Sequence, residues 1–223
     1  MGQPPVPATD PSQEHVFDLS GGALCLDFAN TVGDRPWGKQ EHLASYTDLL
    51  SWSRQTAQLD EQHAERLARQ AARQERKAQA VFQHSLALRE GIYRIFSALA
   101  AGRSPEAADL KALNVALAEA LPFLKVVAEG EGFGWRWSGP EGALDRMLWP
   151  VVRSAADLLT SPEATLVREC GGQYCSWLFV DRSRTHRRRW CDMKVCGNRA
   201  KARRHYARRK SERVRNPGQW DIA

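Results

Sequence analysis

The hydrophobic positions of the first 165 residues recur mainly with the three- and four-residue spacing of amphipathic helices. Five helices are predicted here, over Thr47 to Leu59, 65–80, Val81 to Leu99, Ser104 to Leu121 and Ala143 to about Leu159. The third has the strongest apolar stripe and is therefore predicted to be the central helix of the core. Its stripe consists of Val81, Leu88, Ile92, Ile95 and Leu99. Pro150 lies within the fifth helix, where we expect a kink.

Residues at several predicted helix starts have side chains that begin helices. Ser45 or Thr47 is the expected N-cap of the first helix, and Asp60 that of the second. Ser104 followed by Pro105 predicts the start of the fourth helix, because proline fits the first helical position. The predicted buried face of that fourth helix consists of Leu110, Leu113, Leu117 and Leu121.

Two runs of aromatic and β-branched residues, 123–127 and 133–137, flank a glycine-rich turn and predict a small β-hairpin. The period of two places three aromatic side chains on one face: Phe133, Trp135 and Trp137. We expect this face to pack on the helices, and a stacking platform for a base or an aromatic ligand is the alternative. A shorter strand is predicted from Val16 to Leu19.

A group of polar residues lies in and after a short apolar run, residues 24–31. Periodicity cannot decide between strand and helix over so few residues. We favour a helix, in which Asp27, Asn30 and Thr31 share one face. With Arg35 they form a candidate ligand pocket. The alternative is that they hydrogen-bond the loop that follows, residues 33–39.

Four of the five cysteines form two C-x4-C pairs separated by fifteen residues. Closely spaced pairs joined in this way are typical of tetrahedral zinc sites. In a reducing compartment metal ligands are favoured over disulfides. We therefore predict one structural Zn²⁺ bound by Cys170, Cys175, Cys191 and Cys196. His186 and His205 are alternative ligands, and Cys25, among apolar neighbours, is predicted to be buried.

The predicted fold class is α+β, mainly α. A helical domain with a small β-hairpin (15–165) follows a flexible leader (1–14) and precedes a zinc finger (166–215) and a tail (216–223). The finger is predicted to run knuckle, β-hairpin, knuckle and basic helix, similar to a treble clef. Since it has few apolar side chains, its folding should depend on zinc. We expect chelation to unfold this module and to spare the helical part.

Positive charge is concentrated around and after the cysteines. The chain has a net charge of +6, but from Arg182 to Arg215 there are 15 Lys/Arg against two acids, which leaves −7 on the remainder. Such a concentration predicts a polyanion partner, because phosphates relieve the repulsion within the helix. The predicted nucleic-acid-binding residues are Arg187, Arg188, Arg189, Arg199, Lys201, Arg203, Arg204 and Arg208. A solvated basic tail, or binding to an acidic protein surface, is the alternative.

The remaining sequence features bear on location and activity. The first fifteen residues have no apolar signal core and no apolar run reaches 18 residues, so we expect a cytoplasmic protein without a membrane span. No nucleophile–base pair, phosphate-binding glycine loop or pair of carboxylates at useful spacing is apparent, which argues against an enzyme.

With these residues in view, the chain resembles a bacterial family with an N-terminal ABATE domain and a C-terminal CGNR zinc finger. The finger motif is 196–199, Cys-Gly-Asn-Arg, preceded by 177–181 and 188–191; residues 26–31 and 148–159 are similar to the N-terminal part. One departure is Ser176, where family members tend to have glycine. The resemblance implies a stress-induced transcriptional regulator that binds DNA through the finger. It also implies that the N-terminal part is a sensor or interaction domain of unknown ligand. In such a regulator we expect this part to bind a small molecule or to form a homodimer. An RNA-binding or ribosome-associated protein is the alternative.

Overall fold

The computed structural model describes residues 15–35 and 40–215, with side chains as far as Ser211. The predicted leader, 1–14, and tail, 216–223, lie outside these residues. The helices are α1 Leu24–Ala29, α2 Tyr46–Gln55, α3 Glu61–Arg73, α4 Glu75–Ala100, α5 Ala107–Ala120, α6 Trp149–Thr160 and α7 Asn198–Arg215. The strands are β1 Val32–Gly33, β2 Gln40–Glu41, β3 Leu124–Glu129, β4 Gly132–Trp137, β5 Val167–Glu169 and β6 Leu178–Val180. The mainly helical α+β class is confirmed.

Two of the predicted helix starts are confirmed by their hydrogen bonds. Ser45 and Asp48 form a capping box, in which each side chain accepts a hydrogen bond from the backbone of the other residue. Asp60 caps α3 by accepting a hydrogen bond from the amide of His63 at 2.8 Å. These side chains satisfy amide groups that a helix start would otherwise leave unpaired.

Three helix boundaries were predicted wrongly. The helical conformation is interrupted at Gln74, so α4 begins before Val81 and is 26 residues long. α5 begins at Ala107 with an extended Glu106 at its N-cap, and Ser104 does not cap it. Pro150 lies in the first turn of α6 rather than within it, so it starts the helix without removing an internal hydrogen bond.

The β3–β4 hairpin is confirmed, with Leu124 paired to Trp137 and Glu129 to Gly132. The expected packing of its aromatic face is wrong for two of three residues. Phe133 is 82% exposed and Trp135 is 59% exposed, and Trp137 alone of the three packs against the α6 side chain Trp149. The strand predicted from Val16 to Leu19 is also wrong, since this segment is irregular.

One large hydrophobic core joins the helices to the start of the zinc-finger region. α4 supplies its centre and contacts α1, α2, α3 and α5. The same core contains Val167 of β5 and both Leu178 and Val180 of β6. The antiparallel β5–β6 pair is therefore packed as part of the helical body. A second, smaller cluster surrounds the four cysteines.

Candidate metal centre and basic surface

The first cysteine pair lies at the turn between β5 and β6. Cys170 follows β5 directly, and its amide donates to the carbonyl of Trp177 just before β6. The hairpin predicted after the first knuckle is therefore replaced by one that encloses it. Residues 181–192 are irregular, and a π-helical turn, Met193–Gly197, then carries Cys196 to the start of α7.

The four sulfur atoms have a geometry that fits a tetrahedral zinc ion. All lie within 4.8 Å of one another, and Cys191 Sγ is 3.7 Å from the sulfurs of Cys175 and Cys196. A Zn–S bond of about 2.3 Å in a tetrahedron requires sulfur atoms about 3.8 Å apart. The chain therefore has a single structural zinc site, and a complete set of thiolates leaves no position for a catalytic water.

The backbone around the cluster is shaped to bring the sulfurs together. A Cβ on Gly172 would lie 3.3 Å from Cys196 Sγ and 3.5 Å from Cys170 Sγ, so a side chain there would press into the cluster. The amide of Cys191 donates to Cys170 Sγ at 3.3 Å. Asp192 caps the π-helical turn through the amide of Val195. An amide that donates to sulfur, as that of Cys191 does, stabilises the charge of the thiolate.

The thiols differ in acidity because they are hydrogen-bonded to one another. Hydrogen bonds from Cys175 and Cys191 hold the pKa of the Cys170 thiol well below its ordinary value. The hydrogen bond to Cys170 and then that with Cys175 raise the pKa of the Cys191 thiol. Zinc is bound by thiolates, so binding of the ion displaces the protons of the cysteine thiols.

Neither histidine considered as an alternative ligand belongs to this cluster. Nδ1 of His186 lies 2.8 Å from the carbonyl oxygen of Asp181. His205 is exposed on α7, where it contacts Tyr206. Within the described residues the metal-binding group consists of the four cysteines alone. The fifth cysteine, Cys25, is fully buried in the helical body, as predicted, and burial raises its thiol pKa to about 12.

Some arginines of the basic region hold the finger together. The guanidinium of Arg188 donates to the carbonyls of Trp190 and Cys191 and lies 4.4 Å above the Phe179 ring. Its amide donates to the carboxylate of Asp181, a fully buried residue. These contacts tie the irregular segment to the zinc cluster, so Arg188 has a structural role besides its charge.

The α7 helix projects from the rest of the molecule. Ala200 is buried at its base, and Arg203 is half-buried, but residues 204–211 are exposed on every side of the helix. Tyr206 on this helix is 70% exposed. Of the residues predicted to contact nucleic acid, all except Arg203 are exposed: Arg187, Arg188, Arg189, Arg199, Lys201, Arg204 and Arg208.

The finger is joined to the helical body by a pair of hydrogen bonds from Asn30. Its side-chain amide donates to the carbonyl of Leu178 and accepts from the amide of the same residue, each at 2.8 Å. The amide of Val180 donates to the carbonyl of Gly21 at 2.9 Å. The outer edge of β6 is thus paired by Asn30, at the C-terminal end of α1, and by the turn before that helix.

The structure brings two of the four predicted pocket residues to one cavity. Asn30 and Thr31 line a cavity of about 100 Å³ together with Trp177 of the finger. Asp27 instead accepts a hydrogen bond from the Gly21 amide, and burial raises its pKa to about 6. Arg35 donates to Glu90 at 3.0 Å and to the carbonyl of Ala29 at 2.6 Å. The loop of the alternative interpretation, 33–39, is only partly described.

The burial of one charged residue was not predicted from the sequence. Arg89 is 2% exposed, although it lies on the core side of α4 next to Leu88. It makes a two-point ion pair with Glu41 at 2.6 and 2.7 Å and also contacts Glu90. A single arginine inside an apolar stripe was the available signal, since buried charges require partners.

None of the described helices is both long and apolar enough to cross a membrane. Comparison with models of protein families gives two matches. Residues 22–162 match ABATE, described as "Putative stress-induced transcription regulator", and residues 167–209 match the CGNR zinc finger. A search of the curated proteins gives no match.

Proposed function

The chain belongs to the ABATE family and carries a CGNR zinc finger, and we propose that it is a cytoplasmic transcriptional regulator that binds DNA through α7 and the exposed arginines beside the finger. The zinc ion has a structural role in this proposal. The helical body senses a ligand or forms a homodimer, and the protein has no catalytic activity.

The exposure of α7 is the observation that carries the proposal. All of residues 204–211 are exposed, and four of these eight are Arg or Lys. A helix of this charge is destabilised by repulsion between neighbouring turns and gains little from the body. Phosphate groups would reduce that repulsion and release counterions. The major groove of B-DNA is wide enough to accept a helix.

The zinc cluster positions the base of this helix. Cys196 lies in the π-helical turn that leads into α7, and Ala200 is buried one turn later. Binding of a structural zinc ion contributes about 10–16 kcal/mol in small zinc modules. The metal would therefore fix the direction in which α7 leaves the body, while the helix itself supplies the phosphate contacts.

The cavity beside Asn30 and Thr31 supports a sensing role for the body. It lies where the body meets the finger and is lined also by His42 and Trp177. A ligand bound there would contact both parts and could change the position of the finger. With about 100 Å³ it admits only a very small molecule unless the junction opens.

A salt titration of binding tests the proposal. Arg204→Ala/Arg208→Ala should weaken binding to duplex DNA and lower the slope of log K against log salt by about 2, because each lost phosphate contact removes about 0.9. Arg73→Ala/Arg76→Ala, which removes two exposed arginines from the body, is the matched control. Zinc content is measured for every variant.

Two results would contradict the proposal. An unchanged slope in the α7 variant would remove these arginines from the interface. Equal affinity for duplex DNA and for RNA at every salt concentration would favour an RNA-binding or ribosome-associated protein over a regulator of promoters.

A further inference from the structure

The β3–β4 hairpin has an open edge and an apolar face that is largely exposed. Its sheet has two strands, so no strand of the described chain lies beyond β3. Val126 is 59% exposed, and Phe133 and Trp135 on the same face are exposed as well. Two-stranded hairpins are only marginally stable in water, and open edges tend to pair with another strand.

The turn determines which backbone groups point to the open side. It contains two residues, the first of which is Gly130 with φ 58°. In such hairpins the closing pair, here Glu129 and Gly132, is hydrogen-bonded, and bonded pairs then alternate. The amides and carbonyls of Val126 and Ala128 therefore point away from β4.

β3 has a sequence that is complementary to itself when read in the opposite direction. An antiparallel copy centred on Val127 places Lys125 opposite Glu129 of the second copy, and Val126 opposite its Ala128. Lys125 and Glu129 are both exposed. The symmetry operation creates the ion pair twice. Val126 and Ala128, whose backbone groups point outward, become the hydrogen-bonded pair.

The other strand lacks this complementarity. An antiparallel copy of β4 centred on Trp135 places Arg136 opposite Gly134, so its one charged residue finds no opposite charge. In addition, the Trp135 side chain of β4 is contacted by the guanidinium of Arg153 from α6, which lies 4.6 Å from the centre of its ring. β3 is therefore the edge suited to a second copy of the chain.

We propose that two copies of this chain form a dimer by antiparallel pairing of their β3 strands about a twofold axis at Val127. The result is a four-stranded sheet in the order β4, β3, β3, β4. Across it runs an apolar row of Phe133 and Ala128 from one copy followed by Val126 and Trp135 from the other, and symmetry repeats the row. The β3 edge is then the surface through which the homodimer of the proposed function forms. This pairing does not depend on DNA binding.

Cysteine crosslinking tests the position of the axis. In the zinc-loaded full chain, Val127→Cys places two thiols opposite each other at a pair that is not hydrogen-bonded, where the Cα atoms are about 4.5 Å apart. Mild oxidation should give a covalent dimer. Val126→Cys is the matched control, because its two copies lie more than about 7 Å apart, beyond disulfide reach.

Charge reversal tests the register by sedimentation equilibrium without DNA. Lys125→Glu alone and Glu129→Lys alone each place like charges opposite, so each variant should dimerise about tenfold more weakly than the native chain. An equimolar mixture of the two variants restores both ion pairs and should dimerise with nearly native affinity. The intramolecular contact of Glu129 with Arg136 at 3.1 Å is lost in one variant whether mixed or alone, so it cannot explain the rescue.

Three outcomes would overturn the proposal. A native chain that stays monomeric at high concentration would leave Lys125 as a charge that merely protects an open edge. A dimer in which Val127→Cys does not crosslink uses another surface. A dimer whose mixed variants show no rescue has another register. Since these measurements contain no DNA, their failure leaves the DNA-binding proposal intact. Loss of DNA binding by the α7 variant, conversely, should leave the dimer unchanged.

Discussion

Asn30→Ala is expected to loosen the zinc finger from the helical body. Asn30 is 3% exposed, and both polar atoms of its side chain bond the backbone of Leu178. Alanine removes the two hydrogen bonds and leaves the amide and the carbonyl of a fully buried residue without partners. The cavity that forms is small, and its polar lining lets a water molecule replace at most part of the loss.

The magnitude follows from these two unpaired groups. An unsatisfied buried backbone group costs about 1–3 kcal/mol, so the variant should lose about 2–5 kcal/mol of its free energy of unfolding. The total free energy of unfolding of a domain is about 5–15 kcal/mol, so this loss is a large fraction of it. For a chain of this size, a change of about 1 kcal/mol in the free energy of unfolding shifts the melting temperature by about 2–4 °C. The melting temperature should therefore fall by about 5–15 °C.

Urea unfolding of the zinc-loaded chain, followed by far-UV circular dichroism, measures the effect. Asn114→Ala is the matched control, because Asn114 is exposed on α5 and its loss should change the free energy of unfolding by less than about 0.5 kcal/mol. If Asn30→Ala changed it as little as the control, the Asn30–Leu178 pairing would not hold the two parts together.

Three further predictions follow from the junction and from the finger. Chelation of zinc should lower the melting temperature of the helical body, because Val167 and Leu178 belong to its core; an unchanged body transition in calorimetry would restore the picture of two independent modules. Because burial raises the pKa of Asp27 from 3.8 to about 6, the stability this group contributes is complete below pH 4 and is lost as the pH rises through 6. Between pH 5 and pH 7.5 the free energy of unfolding of Asp27→Asn should therefore rise by about 1 kcal/mol relative to that of the native chain. Urea unfolding at both pH values measures this difference, and the same difference at pH 5 and at pH 7.5 would contradict the prediction. Arg188→Ala should weaken zinc binding at least about tenfold in a chelator competition, because it removes the hydrogen bonds to the carbonyls of Trp190 and Cys191. Arg187→Ala removes an equal charge at the neighbouring position and should leave zinc binding unchanged.

The features predicted correctly from the sequence are those that nearby residues determine. The caps Ser45 and Asp60 satisfy amides within one turn of themselves, so three or four residues suffice to identify them. The cysteine spacing likewise contains the whole ligand set of the metal. Even the β3–β4 hairpin depends mainly on a two-residue turn and its flanking alternation.

The features that were mispredicted depend on distant residues. Periodicity shows which side chains share a face, but not whether another element covers it, and this is why Phe133 was expected to be buried. Asn30 is distinguished by the position of Leu178, 148 residues later in the chain. The burial of Arg89 likewise depends on a carboxylate from a hairpin far away in the sequence, that of Glu41.

The structure also changes which positive charges favour a nucleic acid. A tetrathiolate zinc site carries a formal charge of −2, which accounts for some nearby arginines. Arg182 pairs with Glu163 and donates to the carbonyl of Gly22, and Arg188 binds the irregular segment of the finger. Contacts of this kind would exist in a protein that never meets a polyanion. The exposed part of α7 has no such partners in the described chain, apart from an interaction at Arg208. Its charge therefore makes the stronger case for binding phosphate, and variants of α7 test that case more directly than variants around the cysteines.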